Sequence, residues 1–206
     1  MRDDTMALIG KRLTVPIAIV SVAAVGALGA STTIQAQTKV LNVGIILQLT
    51  GAEAETNTLQ KDAVVMALEE ANAKGGVGGY KLEPVILDEA TATAGECDPA
   101  QAASDVRKLI GNPTVIVNIG PGCSGSGKAM SPILSQADMA TITPSTTNPD
   151  ITSAKFASTY RPKGKAVYFR TCTTDAYTGP GVANYFVEKL GVKSVYVLDE
   201  AEVIMV

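Results

Sequence analysis

The chain has 206 residues, of which 46% are apolar and 18% are charged, and 17 basic against 20 acidic side chains give a net charge of −3. This composition is typical of a globular protein, and the slight acidic excess argues against nucleic acid as a partner. The sequence has no histidine and only three cysteines, which excludes Ser-His-Asp and Cys-His catalysis and the common structural zinc sites within this chain.

The first 36 residues are typical of a secretory signal peptide. Three basic side chains lie within the first 12 residues, an uncharged stretch runs from Leu13 to Ala30, and a polar segment ends at Ala36 with the small residue of a cleavage site. The alternative is a permanent membrane anchor, because 18 uncharged residues are at the lower limit for spanning a bilayer. We expect cleavage before Gln37, a periplasmic mature protein and no stable membrane insertion after cleavage.

Strands and helices alternate in the predicted mature chain. Apolar, β-branched runs predict strands and a period of 3.6 residues predicts helices. The predicted strands cover residues 40–49, 82–88, 114–119, 140–143, a run from 166 and 194–199, and the predicted helices cover residues 58–73, 98–110, 125–137 and about 182–190. This alternation predicts an α/β fold with a parallel, doubly wound sheet.

Local signals predict how the helices begin and which faces they bury. Asp98 followed by proline is a strong helix start, since a carboxylate caps the first amides and proline suits the first helical position. The first helix is predicted to bury the face that carries Leu59 and Met66. The third is predicted to bury Met130 and Leu134.

Two loops follow the third and fourth predicted strands, Gly120–Gly127 and Pro144–Pro149. Ligands of open α/β sheets bind at this edge. The first loop fits the dinucleotide pattern G-x-G-x-x-G and most of a phosphate-binding P-loop. However, Ala129 lacks the hydroxyl that would hold Mg²⁺, and the loop follows the third strand rather than the first.

We therefore predict no nucleotide, no other cofactor and no metal. The glycines then either allow a tight turn or begin a helix whose amides bind a carboxylate.

The cysteines are consistent with an exported protein. Cys97 and Cys123 belong to loops that follow neighbouring strands, and we expect them to form a disulfide in an oxidising compartment. Cys172 remains and is predicted to be a free, buried thiol.

Five segments together resemble the periplasmic leucine/isoleucine/valine-binding proteins, the type I solute receptors of ABC importers. They are ALEEANAKGGVGGYKLE (67–83), CDPAQAA (97–103), IGPGCSGSGKAMSPI (119–133), TPSTTNPDIT (143–152) and FRTCTTDAYTGP (169–180). The resemblance extends from about Val40 to Asp199 and implies a two-lobed α/β receptor that closes over its ligand. Cys97 and Cys123 occupy the positions of the disulfide in this family.

The resemblance also implies a binding site for an amino acid. Ser124 corresponds to the serine whose hydroxyl and amide hold the α-carboxylate, and Ser145, Thr146 and Thr147 correspond to the loop that offers a carbonyl and a hydroxyl to the α-ammonium. One departure lies in the segment TDAYTGP, where Thr178 stands in place of a glutamine.

The implied organisation is a signal peptide (1–36), an N-terminal ligand-binding lobe (37–165), and a hinge with an incomplete second lobe (166–206). About half of a family receptor is present. We expect a binding protein rather than an enzyme, with an amino acid and the importer's membrane permease as partners and no nucleic acid. The alternatives are a sensory domain of the same fold, a nucleotide-binding enzyme that uses the glycine loop, or a non-functional truncated fragment.

Overall fold

A computed structural model describes residues 39–197, so the predicted signal peptide lies outside the described residues. Five parallel strands form one sheet in the order β2-β1-β3-β4-β5. The strands are β1 (Val40–Leu47), β2 (Lys81–Asp88), β3 (Val115–Ile119), β4 (Thr141–Thr143) and β5 (Tyr168–Arg170). The helices are α1 (Ala54–Ala73), α2 (Pro99–Ile110), α3 (Ser124–Ala137), α4 (Ala157–Tyr160) and α5 (Asp175–Asn184), which a π-helical turn (Tyr185–Lys189) continues. The predicted α/β fold with a parallel sheet is confirmed.

The strand order places a switch point between β1 and β3. The chain leaves β1 to form β2 on one side, and then returns to form β3 on the other side of β1. The connections from these strands diverge at the carboxyl edge of the sheet, which opens a crevice there. The glycine loop that follows β3 therefore lies beside the switch point.

Helices α2 and α3 cover one face of the sheet. The Asp98 carboxylate accepts the amides of Ala100 and Gln101 at 2.8 and 3.2 Å, which confirms the predicted cap. Met130 and Leu134 of α3 are fully buried, as predicted, in a cluster with Ile46 of β1. This packing fixes the start of α3 at the carboxyl edge of the sheet.

Helix α1 covers the opposite face, and the prediction for its buried face is wrong. Leu59 and Met66 are 66% and 57% exposed, whereas Leu68 packs against Val43 and Leu82. Alanine, valine and methionine occur around most of this helix, so its periodicity does not single out one face. The neighbouring strands decide which side chains are buried.

Strand β5 joins the first sheet. Its residues Tyr168 and Phe169 pair with Thr141 and Ile142 of β4, so the segment that begins the predicted hinge extends the first sheet. The apolar run from Ala166 predicts a strand without specifying which sheet it joins. The predicted division into an N-terminal lobe (37–165) and a hinge with an incomplete second lobe (166–206) stays a prediction.

The predicted strand at 194–199 is wrong for the part that the structure describes. Residues 191–197 have no regular structure, and the side chains of Tyr196 and Val197 are almost fully exposed. No described strand pairs with them, and a strand needs a hydrogen-bonding neighbour. Across residues 39–197, no helix combines the length and apolarity needed to cross a membrane.

Candidate ligand-binding site

The loops that follow β3 and β4 lie against each other at the carboxyl edge of the sheet. The Ser145 hydroxyl donates to the Gly122 carbonyl at 2.8 Å, and the Asn148 amide donates to the Ser124 hydroxyl oxygen at 3.2 Å. The structure thus brings together the two segments in which the sequence predicts ligand-binding residues.

Three hydroxyls determine the orientation of the glycine loop. Thr141 donates to the Gly120 carbonyl at 2.6 Å, Thr143 donates to the Pro121 carbonyl at 2.7 Å, and the Ser145 contact continues this series. Three successive carbonyls of the loop therefore face β4 and the residues that follow it. We refer to these contacts of Thr141, Thr143 and Ser145 as the hydroxyl ladder.

The N-terminus of α3 is suited to bind an anion. Cys123 precedes the helix and provides no side-chain cap, and the Gly127 amide donates to the Cys123 carbonyl at 2.9 Å as the first bond of the helix. The amides of Ser124, Gly125 and Ser126 precede that bond and have no acceptor within the helix. These amides and the helix dipole favour a negatively charged group at this end.

The four predicted ligand-binding residues occupy different environments. Ser124 is 2% exposed, and its oxygen accepts the Asn148 amide, so its own proton can be donated to a ligand. Thr146 is fully buried, and its hydroxyl shares a 2.9 Å hydrogen bond with the Tyr168 hydroxyl. Thr147 is half-buried, and within residues 39–197 its hydroxyl has no hydrogen-bond partner. The Thr146 side chain thus belongs to the core, and Thr147 presents the available hydroxyl.

Interactions from β5 and α5 hold the second loop. The Asp175 amide at the start of α5 donates to the Thr147 carbonyl at 3.1 Å. The Arg170 guanidinium donates to the Asn148 carbonyl at 3.2 Å, and the Cys172 thiol donates to the Thr146 carbonyl at 3.4 Å. The segment that follows β5 therefore supports the site, and Cys172 is a half-buried free thiol.

Cys97 and Cys123 lie together at the same edge. Their sulfur atoms are within bonding distance, and their Cα atoms are 6.3 Å apart, inside the range that a disulfide spans. Cys123 directly precedes Ser124, so a bond at this position would attach the start of α3 to the loop between β2 and α2.

Glu89 is a residue of this site that the sequence analysis missed. It directly follows β2, is fully buried, and accepts the Gly122 amide at 2.6 Å. Burial raises the pKa of Glu89 to about 7, while the Ser126 hydroxyl and the amides of Gly122 and Cys123 lower it in part. The position of this carboxyl group, directly after a strand at the edge where ligands bind, was the available signal.

An apolar pocket of about 310 Å³ lies beside these loops. Its walls include Ile119 and Pro144, which adjoin the two loops, together with Leu47, Val64 and Ile142. Aliphatic side chains form most of its surface, so it could accept a small apolar group.

Comparison with known proteins identifies the family. A family model described as periplasmic binding protein matches residues 40–203. The chain belongs to the periplasmic binding protein family. A relative from Pseudomonas aeruginosa, the leucine-, isoleucine-, valine-, threonine- and alanine-binding protein, is 31% identical over 162 residues, which cover 79% of this chain and 39% of the relative. The Leu/Ile/Val-binding protein of Citrobacter freundii is 29% identical over 177 residues, which cover 86% and 44%.

Solved structures have a similar fold. The branched-chain amino acid transporter substrate-binding protein LivJ of Streptococcus pneumoniae, in complex with isoleucine, has a TM-score of 0.61 and 27% identity, covering 74% of this chain and 39% of that structure. The leucine-binding protein LivK of Thermotoga maritima shares the fold, with a TM-score of 0.58 and 24% identity, covering 74% of this chain and 38% of that structure. The predicted family is confirmed. This periplasmic binding protein spans about two fifths of the length of the curated relatives that it matches.

We expect Glu89→Gln to change how the stability of this periplasmic binding protein depends on pH. The folded pKa of about 7 lies above the ordinary value of 4.5, so between these values the unfolded chain loses the proton that the folded chain keeps. The free energy of unfolding therefore falls as pH rises through this range. Glutamine stays neutral, and the loss of stability between pH 5 and pH 8 should shrink by about 2–3 kcal/mol.

Urea denaturation at both pH values measures this effect. Glu69→Gln removes an exposed carboxylate from α1 and should leave the wild-type pH dependence unchanged. An equal pH dependence in wild type and Glu89→Gln would contradict the prediction.

Proposed function

We propose that this protein is an extracytoplasmic solute-binding protein of an ABC importer and that it binds an amino acid with an aliphatic side chain. The observation that carries the proposal is the start of α3, which has no side-chain cap and lies beside the loop that follows β4, where the Asn148 amide donates to the Ser124 hydroxyl. An amino acid zwitterion needs donors at one end and acceptors at the other. The amides and Ser124 supply donors, and the Ser145 carbonyl with the Thr147 hydroxyl supplies acceptors.

The relatives support an amino acid as the ligand. Several carry names that specify leucine, isoleucine or valine, and the LivJ structure contains isoleucine. The apolar pocket beside the loops provides a surface that favours an aliphatic over a charged side chain. The permease partner and the absence of catalytic activity follow from the same family membership and are part of the proposal.

We expect Ser124→Ala to weaken leucine binding by about 1.5–3 kcal/mol, because the hydroxyl would donate to a charged carboxylate. The described residues form a site on one sheet edge, so we expect wild-type affinity near millimolar, about −4 kcal/mol. Amide chemical shifts during a titration with leucine measure both values. Leucine, isoleucine and valine should bind in preference to glutamate.

Ser153→Ala is a matched control for this experiment. The Ser153 hydroxyl accepts the Lys155 amide, and this hydrogen bond involves none of the proposed ligand-binding residues, so its removal should leave leucine affinity unchanged. Equal losses in both variants, or none in Ser124→Ala, would argue against the assigned carboxylate site.

The proposed location outside the cytoplasm has its own test. If residues 1–36 direct export and are removed, N-terminal sequencing of periplasmic protein should begin near Gln37. The expected mass decrease is that of 36 residues. Exported protein that retains Met1 or Met6 would support the anchor interpretation instead.

A further inference from the structure

The Glu89 carboxyl group lies directly behind the loop that begins α3, and the proposed ligand contacts do not use it. Its Oε1 atom accepts the Gly122 amide at 2.6 Å. Its Oε2 atom is buried and makes no hydrogen bond of good geometry to the residues that the structure describes. The Ser126 hydroxyl and the Cys123 amide also interact with the carboxyl group and lower its pKa in part. Buried polar atoms are rarely left without a partner, so this arrangement requires an explanation.

We infer that Glu89 is a positioning residue for the carboxylate site and that its protonation promotes the binding of a ligand carboxylate. The inference rests on the proposed function, since it requires a carboxylate at the start of α3. Binding of a ligand carboxylate is then accompanied by the uptake of a proton at Glu89.

The short path from Glu89 to the proposed carboxylate position supports this inference. The Gly122 and Cys123 amides both interact with Glu89, and Ser124 is the next residue along the chain. Successive Cα atoms are about 3.8 Å apart, so a ligand bound to the Ser124 amide would lie within about 10 Å of the Glu89 carboxyl group. At that distance in a water-poor site, two negative charges repel each other appreciably.

Tight packing prevents Glu89 from moving away. A Cβ atom placed on Gly122 would lie 2.8 Å from the Asn57 Oδ1 atom and 2.9 Å from the Glu89 Oε1 atom, so both side chains pack directly against the loop. A carboxylate oxygen of Glu89 also lies within 4.8 Å of the Cys97 and Cys123 sulfur atoms. The charge of Glu89 therefore stays behind the anion site.

Among the described residues, no cationic side chain contributes to the pKa shift of Glu89. The guanidinium of Arg170 on β5 lies 6.0 Å from the Tyr168 ring and acts on the Tyr168 phenol. Asp88 of β2 raises the pKa of Glu89, and Tyr168 of β5 faces it as a neutral phenol whose own pKa burial raises. Gln48 of β1 and Asn57 of α1 are neutral. Asp98 precedes α2, and its carboxylate accepts the first amides of that helix. Lys128 of α3 is half-exposed.

The sign of the effect follows from linkage. Burial raises the pKa of Glu89 to about 7, so the group titrates near neutral pH. A ligand carboxylate nearby would raise the pKa further, and binding would then take up a proton. Affinity for a carboxylate ligand should therefore increase as pH falls from 8 to 6.

Leucine titrations at pH 6 and pH 8, followed by amide chemical shifts, test the inference. We expect wild type to bind leucine about fivefold more weakly at pH 8 than at pH 6, which corresponds to a rise of about one unit in the pKa of Glu89 on binding. Glu89→Gln keeps an acceptor for the Gly122 amide and removes the charge, so its affinities should agree within about twofold. The control Glu69→Gln should behave as wild type does.

Isopentylamine separates charge repulsion from a general effect of pH. It has the ammonium and aliphatic groups of leucine without the carboxylate, so ionisation of Glu89 does not repel it, and it should bind no more weakly at pH 8 than at pH 6. Wild-type leucine affinity that does not depend on pH, or the same dependence in Glu89→Gln, would overturn the inference.

A measurement without ligand distinguishes this inference from the proposed function. The Gly122 amide shift should titrate near pH 7 in wild type and not in Glu89→Gln. If neither protein binds leucine at either pH, the proposed function and the ligand part of the inference both fail, and a Gly122 titration supports only the link between Glu89 and the loop. If leucine binds and the Gly122 amide does not titrate, the inference alone fails.

Discussion

We expect Gly120→Ala to lower the free energy of unfolding by about 4 kcal/mol, from backbone strain and overpacking together. Gly120 has φ +113°, a conformation that side chains disfavour, and a Cβ at this position would overlap the Ile46 carbonyl oxygen. The Ile46 backbone belongs to β1 in the centre of the sheet and cannot move without disrupting its pairing with β2 and β3. The loop would have to shift instead, and the hydroxyl ladder would break with it.

Gly75→Ala is the matched control for backbone strain alone. Gly75 has φ +95°, and no atom lies within 4 Å of the position that its Cβ would take. Its substitution should lower stability by only about 1 kcal/mol. Urea denaturation monitored by circular dichroism measures both variants, and equal losses would show that the predicted overlap with Ile46 has no effect.

Replacement of both Cys97 and Cys123 by alanine should lower the free energy of unfolding by about 3.5 kcal/mol, because a covalent link across 26 residues restricts the unfolded chain. The prediction requires that the two cysteines form a disulfide in the native protein. Peptide mapping without reduction should find Cys97 linked to Cys123 and Cys172 unmodified. Urea denaturation of oxidised and reduced wild type should give a similar difference in stability.

Cys172→Ala provides the control for the loss of a thiol. Cys172 is half-buried and its thiol contacts one carbonyl, so its replacement should lower stability by less than about 1 kcal/mol. A disulfide that involves Cys172, or a double variant as stable as wild type, would contradict the prediction.

Local signals predicted the parts of the fold that depend on neighbours along the chain. The start of α2 follows from Asp98 and Pro99, and the buried face of α3 follows from the spacing of Met130 and Leu134. These features are visible in sequence because capping and helical periodicity involve residues only a few positions apart.

Features that depend on distant segments were not predictable in this way. The buried face of α1 depends on its packing against β1 and β2. The position of β5 depends on which strand its apolar residues pair with. For the site, the resemblance indicated both loops, but the burial of the Thr146 hydroxyl arises from a contact with Tyr168, 22 residues away. Glu89 was missed because a single acidic residue after a strand does not reveal that it will be enclosed by α1 and the glycine loop.

The hydroxyl ladder has a consequence for the kinetics of binding. With three successive carbonyls of the glycine loop bound by Thr141, Thr143 and Ser145, the conformational entropy of that loop is already lost when the chain folds. A ligand then meets a preorganised surface, and little of its binding energy is used to order the loop. Association at this edge should accordingly be limited by the encounter with the ligand, and differences in affinity among amino acids should occur mainly in their dissociation rates.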